Sequence, residues 1–323
     1  MPREKTKCIT SIGGQALFEG IMMRGPYKTE VAVRAQDGSI SLEEMQTSGM
    51  AKKHKIFRIP LLRGIAAFID SLSVGYRALS LSVDKAGLDT DDEFEESKFD
   101  KWVEKKFGEK TMAAVMTAGT VLGVLFAIVL FFILPTWLFN LIETPAGLGI
   151  EGWRSPVEGL MRIAIFLIYI IMCSRMKDVR RVFEYHGAEH KTIFCYENDE
   201  ELTVENVRKH KRFHPRCGTS FIVLMLIVGI IIGLFIPFRN PFLRTAVKIL
   251  CIPIVVAVGY ELIRYCGRNE NTLTRIISAP GLWVQRITTK EPDDSMIEVA
   301  IAAIKEVIPE NGEDKIGLKE KEK

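Results

Sequence analysis

Histidine is scarce in this 323-residue chain, and four of its five histidines fall between residues 186 and 214. His186 and His190 are four residues apart, so a helix would place their imidazoles one above the other on one face. His210 and His214 repeat that spacing, and Cys217 adds a thiol three residues later. Imidazole and thiolate are ligands that zinc prefers. The window therefore predicts a divalent metal site, zinc first, with these five residues as candidate ligands.

A glutamate inside the first pair suggests what the metal would do. Residues 186–190 have the form His-x-x-Glu-His, the inverted zincin signature, in which the histidines bind zinc and the glutamate polarises the attacking water. Glu189 is therefore the candidate catalytic base. Three protein ligands with an open position would make the metal catalytic, whereas four would make it structural. The alternative is that the histidines form hydrogen bonds within a loop or touch lipid headgroups, which gives pH sensitivity at most.

Two residues outside this set of five are further candidates. Cys195 follows the second histidine by five residues and could serve as a ligand. Glu261 lies far downstream, as the third ligand does in inverted zincins, and carboxylates near apolar segments are often functional. Its alternative role is an ion pair with Arg264 or Arg162.

Four apolar runs surround this window and indicate a membrane protein. Apolar residues make up 48% of the chain, and the runs cover residues 111–134, 160–173, 221–236 and 246–263. The first carries no charge and is long enough to span a bilayer core. Pro253 is an expected kink in the fourth. We therefore expect about four transmembrane helices in contact with the lipid bilayer.

Basic residues set the expected orientation, because Lys and Arg are enriched on the cytosolic side. They precede the first run and follow the second and fourth, as Lys101, Lys105, Lys106, Lys110, Arg175, Lys177, Arg180, Arg181, Arg264, Arg268 and Arg275. Both termini and the histidine-rich segment are thus expected in the cytosol, on the inner face of the plasma membrane. Arg239, Arg244 and Lys248 fit less well, since they lie near the opposite turn.

The composition narrows the compartment and the classes of partner that we expect for this protein. Six scattered cysteines without a short regular framework suit a reducing compartment better than a disulfide-stapled fold. The net charge of +3 is too small to indicate a general attraction to nucleic acid, and the sequence contains no nucleic-acid motif. The basic residues around the histidines fit positive-inside topology and anionic headgroups. Docking of an anionic partner near the membrane, such as ribosomal RNA, is the rarer interpretation.

The N-terminal part has a different character. Residues 12–26 are rich in glycine, but no Gly-Lys-Ser/Thr ending follows, which disfavours a phosphate-binding loop. Residues 30–34 and 39–42 alternate around Asp37-Gly38, which predicts a β-hairpin. Residues 60–83 form a long amphipathic helical pattern that either lies in the membrane interface or packs on the helical bundle.

The remaining segments are expected to be cytosolic. Residues 89–96 read as an acidic linker and residues 99–107 as an amphipathic helix. The Ala-Pro-Gly sequence at 279–281 should break the chain, and a helix should begin near Pro292. The Lys/Glu-rich tail from Asn311 should be disordered.

Together these features predict a mainly α, polytopic helical membrane protein with a small N-terminal β-hairpin segment and cytosolic amphipathic helices. The expected organisation is a Gly-rich and hairpin segment (1–58), amphipathic helices with the acidic linker (59–110), a first transmembrane pair (111–174), the His/Cys-rich cytosolic segment (175–220), a second transmembrane pair (221–264), a C-terminal cytosolic segment (265–310) and the tail (311–323).

Three motifs also resemble a known family. They are Gly-Gly-Gln-Ala-Leu-Phe-Glu-Gly-Ile-Met-Met-Arg-Gly at 13–25, Tyr-His-Gly-Ala-Glu-His-Lys at 185–191 and His-Pro-Arg-Cys-Gly-Thr-Ser at 214–220. Together they are similar to the YqhQ family, bacterial multipass membrane proteins with a domain of unknown function that is labelled a predicted metal-dependent enzyme. The resemblance extends from about Ile12 to Ile304. It implies a membrane location and places both histidine clusters in one unit.

Two functions remain open from sequence. One is metal-dependent hydrolysis with Glu189 as base. The other is a non-enzymatic membrane scaffold that docks a cytosolic or membrane protein, such as translation or protein-export machinery, with a metal that only folds the segment.

Overall fold

The computed structural model describes residues 8–47, 49, 55–87, 109–146, 151–269 and 271–316. The predicted acidic linker and the amphipathic helix at 99–107 lie outside these residues. The chain forms two compact units, each made of separate stretches. Unit 1 is Met1–Gly87, Ile170–Met225 and Val256–Lys323, and unit 2 is Leu88–Tyr169 and Leu226–Val255.

Helices dominate the described chain, as the composition predicts. They are α1 (Leu62–Lys85), α2 (Glu109–Ile128), α3 (Leu134–Ala146), α4 (Arg154–Cys173), α5 (Lys177–Glu197), α6 (Val204–Lys209), α7 (Gly218–Gly233), α8 (Pro241–Leu250), α9 (Ile252–Arg268), α10 (Thr272–Thr288) and α11 (Asp294–Val307), with short 3-10 turns at Lys55–Arg58 and Glu151–Trp153.

Unit 1 contains an antiparallel sheet of four strands in sequential order. The strands are β2 (Gly13–Leu17), β3 (Gly20–Arg24), β4 (Thr29–Arg34) and β5 (Ile40–Glu44). The predicted hairpin is confirmed as β4 and β5, which pair from Arg34 with Ile40 to Glu30 with Glu44. The glycine-rich stretch supplies β2 and β3, so the sheet is larger than the sequence pattern indicated.

Helices cover both faces of this sheet. Val31 and Val33 of β4 point to one face, where they pack with Val74 and Ala78 of α1. Ala32 points to the other face, into a core shared with α5 and α11. Both faces are buried, and the three central residues of β4, Val31, Ala32 and Val33, are accordingly all apolar. The sheet is therefore the middle layer of unit 1.

Helix α1 buries small residues and exposes large ones. Gly64 and Ala66 are buried, whereas Ile69, Leu72 and Tyr76 are about half or more exposed. An amphipathic helix in a soluble domain normally buries its large apolar side chains. The sequence left open whether this helix lies in the membrane interface or packs its apolar stripe on the helical bundle. The helix packs through small residues instead, and part of the predicted stripe is exposed.

The C-terminal part of unit 1 corrects one prediction and confirms another. The chain does not break at Pro280, because α10 runs through it. A capping box at Asn271 and buried contacts of Gln285 fix the helix on both sides, which offsets the roughly 3 kcal/mol that an internal proline costs. The predicted α11 is confirmed, with Asp293 as its N-cap.

The predicted tail is ordered in its first part. Lys315–Ile316 forms β6, which pairs with β1 (Ile9–Thr10). Asp314 is buried and accepts hydrogen bonds from the hydroxyls of Thr10 and Tyr196. The prediction of disorder is thus wrong for residues 311–316, because these contacts outweigh the polar composition. Residues 317–323 lie outside the described part.

Unit 2 consists of apolar helices. Helix α2 continues through one π-helical turn at Val129–Ile133 into α3. Of the described residues, Ala118–Glu143 and Arg154–Cys173 form helices long and apolar enough to cross a membrane, and the pair α8 and α9, bent by 47° around Cys251, makes a third if it is one span. The bend lies beside Pro253, as predicted. Helix α7 has 16 residues, fewer than the roughly 20 that a simple span needs. The described residues thus contain two or three candidate spans, and the predicted number of four is not confirmed.

A candidate metal centre

Helix α5 positions three of the predicted site residues. His186 and His190 lie one turn apart on it, with ring centroids 4.4 Å apart, as the four-residue spacing predicts. Glu189 lies between them on the same helix and is buried. In the second half of α5, Tyr185 and all residues from 187 to 197 are buried and His186 is half-buried, so these polar groups lie in or at the edge of the interior of unit 1.

Backbone carbonyls orient both imidazoles. Nδ1 of His186 lies 2.9 Å from the carbonyl oxygen of Thr288, and Nδ1 of His190 lies 2.6 Å from that of Arg212. A carbonyl oxygen can only accept a hydrogen bond, so each Nδ1 carries the proton. Each Nε2 is therefore left to act as a ligand. This arrangement, with the second nitrogen fixed by a carbonyl, is typical of metal-binding histidines.

Cys217 completes a set of three ligand atoms. Its Sγ lies 3.1 Å from Nε2 of His186, and one ligand atom from each of His186, His190 and Cys217 lies within 4.8 Å of the others. Zinc bonds of about 2.0–2.3 Å in a tetrahedral arrangement separate ligand atoms by roughly 3.3–3.7 Å. The backbone N–H of Thr219, at the start of α7, donates to the sulfur. The three donors thus fit one divalent ion with small adjustments.

The charges of these groups support one another. Burial alone would raise the pKa of Cys217, but the neighbouring imidazoles of His190 and His186 hold it well below its usual range. Burial likewise opposes protonation of His186, yet the sulfur beside it raises the pKa of that imidazole to about 9. The cysteine is therefore predisposed to the thiolate form, which is the form that binds metal.

Glu189 contacts the glycine-rich strand. Burial raises the pKa of its carboxyl group, against the pull of the two imidazoles, and the N–H of Gly14 donates to it. A Cβ atom on Gly14 would stand 2.8 Å from Cδ of Glu189, so only glycine allows β2 to approach this closely. The glycine-rich stretch thus contacts the glutamate that lies between the two histidines.

A cavity of about 510 Å³ adjoins these groups. One side consists of the three ligand residues and Glu189, and the other consists of β2 and part of α1. Its lining also includes Ser11, Ile12, Gly13, Gly14, Gln15, Ser71, Val74, Phe183, His214 and Arg216. The ligand atoms therefore face a space large enough for a substrate group.

His214 lies beside the set of three but makes other contacts. Its ring centroid is 5.5 Å from that of His190, and its Nε2 lies 3.6 Å from the buried carboxylate of Glu197. Glu197 also binds Arg216 and the N–H of Thr10. Burial lowers the pKa of His214 to about 4. The structure thus places this predicted ligand in a polar network behind the site.

His210 lies in a different cluster, which corrects the expectation that it could complete the same ligand set. It groups with Cys195 and Glu200, and its Nε2 is 3.3 Å from the Glu200 carboxylate. Helix α6 ends at Lys209, so the spacing from His210 to His214 does not correspond to a helical face. Cys195, the further ligand candidate, is also removed from the first set by this grouping.

Glu261 takes no part in the candidate centre. Both of its oxygens accept from Arg63 of α1 in a bidentate pair. The sequence predicted an ion pair with Arg264 or Arg162 as the alternative to a ligand role, so the ion pair is right and its main partner is different. Neither Arg63 nor the carbonyls of Thr288 and Arg212 could be identified from local spacing.

The comparisons with known proteins agree on a family. Residues 59–310 match the family described as "Protein of unknown function (DUF1385)". The chain is 35% identical over 306 residues to "Uncharacterized protein YqhQ" of Bacillus subtilis (strain 168), covering 94% of each chain. No solved structure matches the chain. The chain therefore belongs to the DUF1385 family, which it shares with YqhQ.

Proposed function

We propose that this protein is a multipass protein of the bacterial plasma membrane that holds a divalent metal ion, zinc first, in its cytosolic unit and uses it for hydrolysis. The observation that carries this proposal is the set of three donors. Nε2 of His186, Nε2 of His190 and Sγ of Cys217 converge, and carbonyls hold both imidazoles in the ligating orientation.

The number of ligands favours catalysis over a structural role. Structural zinc sites have four protein ligands, whereas catalytic sites have three and one open position. The nearby His214 is bound to the Glu197 network, and the cavity adjoins the three donors. A bound zinc ion supplies Lewis-acid activation of water and of a substrate carbonyl or phosphoryl oxygen.

Glu189 is the proposed general base. It is the residue before the second histidine in the inverted zincin pattern, and it lines the same cavity as the ligands. Burial raises the pKa of its carboxyl group, which brings it toward the range in which a carboxylate accepts and returns a proton efficiently. The N–H of Gly14 holds it in place.

The helices support the membrane part of the proposal. Large apolar residues of α2 such as Leu122, Val124 and Phe126 are more than half exposed, as expected for contact with lipid. Gly267 near the end of α9 lies close to Arg216, which precedes α7. The segment from α7 to α9 therefore returns to the side from which it left. We propose four crossings on this basis, with α7 as a short one.

The orientation follows from the basic residues near α5. Arg175, Lys177, Arg180 and Arg181 lie between the end of α4 and the first turns of α5, and such residues are retained in the cytosol. With an even number of crossings, both termini are in the cytosol with the candidate centre.

Metal analysis tests the centre. Purified full-length protein in detergent should contain about one zinc per chain by elemental mass spectrometry, and a variant with His186→Ala and His190→Ala should contain none while retaining its helical circular dichroism. His210→Ala is the matched control, because it removes a buried histidine of the separate cluster, and it should keep the metal. A wild-type protein without metal after zinc reconstitution would refute the proposal.

A Glu189→Gln variant then separates the enzyme from the scaffold. Hydrolysis of ester, peptide and phosphoester substrates in a screen should be lost, with metal content and thermal unfolding unchanged. If Glu189→Gln instead restored wild-type behaviour in full to a strain that lacks the gene, the metal would be structural. The protein would then act as a scaffold for a cytosolic or membrane protein partner.

A further inference from the structure

Unit 2 buries a cluster of charged side chains among its apolar helices. Glu158 of α4 is almost fully buried, and three cations contact its carboxylate. Arg154 Nε is 3.0 Å away, Arg244 Nε is 3.0 Å away and Lys248 Nζ is 2.6 Å away. The sequence placed Arg244 and Lys248 near an outer turn, where they fitted the topology poorly, and the structure shows that they turn inward.

A fourth cation lies beside this group. Arg162, one turn after Glu158, is 6% exposed. Its Nε donates to the carbonyl of Phe131, 2.7 Å away, inside the π-helical turn, where the backbone leaves the regular α-helical hydrogen-bond pattern. Its Nη2 is buried and has no hydrogen-bond partner. A buried guanidinium nitrogen without an acceptor is costly and calls for a ligand.

The charges in the cluster do not balance. Arg154, Arg162, Arg244 and Lys248 provide four positive charges, and among the described residues that contact them Glu158 provides the one carboxylate. Removing charges from water is unfavourable unless opposite charges or hydrogen bonds compensate them. The excess of three positive charges therefore attracts an anion.

Part of the excess is already neutralised by carbonyl dipoles. Arg244 donates to the carbonyls of Ile236 and Phe238, and less closely to that of Gly233, the last residue of α7. The C-terminal end of a helix carries partial negative charge. These contacts satisfy the guanidinium of Arg244. Among the described residues of the cluster, Arg162 Nη2 is then the buried guanidinium nitrogen that still needs an acceptor.

A small cavity lies at this position. Its volume is about 10 Å³, and its lining comprises Ser155, Glu158, Gly159, Arg162, Gly229, Ile230, Gly233, Arg244 and Lys248. A volume of this order holds the centre of one water-sized particle. A monatomic anion fits it with slight adjustment, whereas a tetrahedral phosphate does not. The residues that line this cavity all belong to unit 2.

We infer that this cavity binds one small monovalent anion of the halide class, chloride in the cell, held by Arg162 Nη2 and Lys248 Nζ. The anion links α4 to α8 and supplies the acceptor that the guanidinium lacks. The site shares no residue with the candidate metal centre, so the outcome of a test on one site does not depend on the other.

Thermal unfolding of the purified full-length protein in detergent tests this inference. Chloride is raised from about 1 mM to about 300 mM at constant ionic strength, with gluconate as the replacement anion. For a site of millimolar affinity the unfolding midpoint should rise on the order of 5 °C. Bromide should act like chloride, and phosphate at the same ionic strength should act like gluconate.

Two variants identify the site. Arg162→Gln removes the positive charge but keeps a polar side chain, and it should abolish the chloride-dependent rise. Arg239→Gln is the matched control, because it removes an exposed arginine of the same unit, and it should respond as the wild type does. Equal responses to chloride and gluconate in the wild type, or an undiminished rise in Arg162→Gln, would overturn the inference.

A second measurement decides the matter if Arg162→Gln does not fold. Wild-type crystals grown with bromide should show an anomalous peak beside the Arg162 guanidinium. Ordered water with no bromide peak at that position would mean that the cavity is a hydration site, and the halide assignment would be wrong.

Discussion

Replacement of Gly187 by alanine tests whether the strap, which we define as residues 288–292 at the end of α10, orients the first histidine. A Cβ atom at this position would stand well inside 3.0 Å of the carbonyl oxygen of Lys290, closer than real Cβ atoms approach. The strap would have to retreat by at least about 1 Å before this distance reached the shortest that real Cβ atoms show. The same movement would stretch the 2.9 Å bond between His186 Nδ1 and the carbonyl of Thr288 to about 3.9 Å, which is beyond hydrogen-bond reach.

The expected magnitude has three parts. Loss of one hydrogen bond costs about 1 kcal/mol, and overpacking a tight site costs about 1–3 kcal/mol. Alanine in a helix returns about 1 kcal/mol relative to glycine. The free energy of unfolding should therefore fall by about 1–3 kcal/mol. Because the imidazole loses its orienting carbonyl, metal affinity should fall about 10- to 100-fold.

Competition with a chromogenic chelator measures the affinity, and thermal unfolding measures the stability. Gly123→Ala is the control, since Gly123 also lies within a helix and a Cβ there meets nothing within 4 Å. This control should be neutral or slightly stabilising. A Gly187→Ala protein with wild-type zinc affinity and an unchanged midpoint would refute the claim that the strap holds the imidazole.

Three further predictions concern stability outside the candidate centre. Burial raises the pKa of Cys195 from its ordinary 9.0 to about 11, so the unfolded state ionises first and the free energy of unfolding should fall as pH rises from about 9 to 11, on the order of 1–2 kcal/mol after solvent screening. Thermal scans of Cys195→Ala should lack this loss, whereas Cys173→Ala should show it. Asp314→Ala leaves two hydroxyl donors without their buried acceptor and should cost about 2–4 kcal/mol, against no measurable change for exposed Glu313→Ala in the same urea titration. Glu158→Ala leaves several buried cations without their carboxylate and should lower the free energy of unfolding by about 3–5 kcal/mol. A variant that unfolds in detergent at the same temperature as the wild type would contradict the burial of this cluster.

The sequence predicted those features that depend on local spacing. The four-residue step from His186 to His190 required only a helix, and α5 provides one. The alternation around Asp37-Gly38 required only a turn, and the hairpin of β4 and β5 follows from it. Asp293 caps α11 because its short acidic side chain reaches the N–H of Met296, which is also a local interaction.

The choice among ligands depended on contacts between distant residues. The sequence favoured His214 as the third ligand, with Cys217 or His210 completing the set, whereas the packing of the chain after α6 places Cys217 with His186 and His190. That packing places Cys217 against His186, 31 residues earlier, and gives His210 to the Glu200 cluster. No periodicity encodes such a contact, because it depends on where α6, α7 and the strap after α10 pack.

Unit 1 is assembled from three separate stretches of the chain, and this has a consequence for when its parts can come together during synthesis. The N-terminal strands are made first, yet β1 pairs with β6 at the other end of the chain. His186 gains its orienting carbonyl from Thr288, 102 residues later. At typical translation rates the ribosome needs roughly 6–25 s to travel from the second histidine to β6. All the apolar helices of the described residues are made within or before that interval, so the candidate ligands reach their final geometry only after these helices have been synthesised.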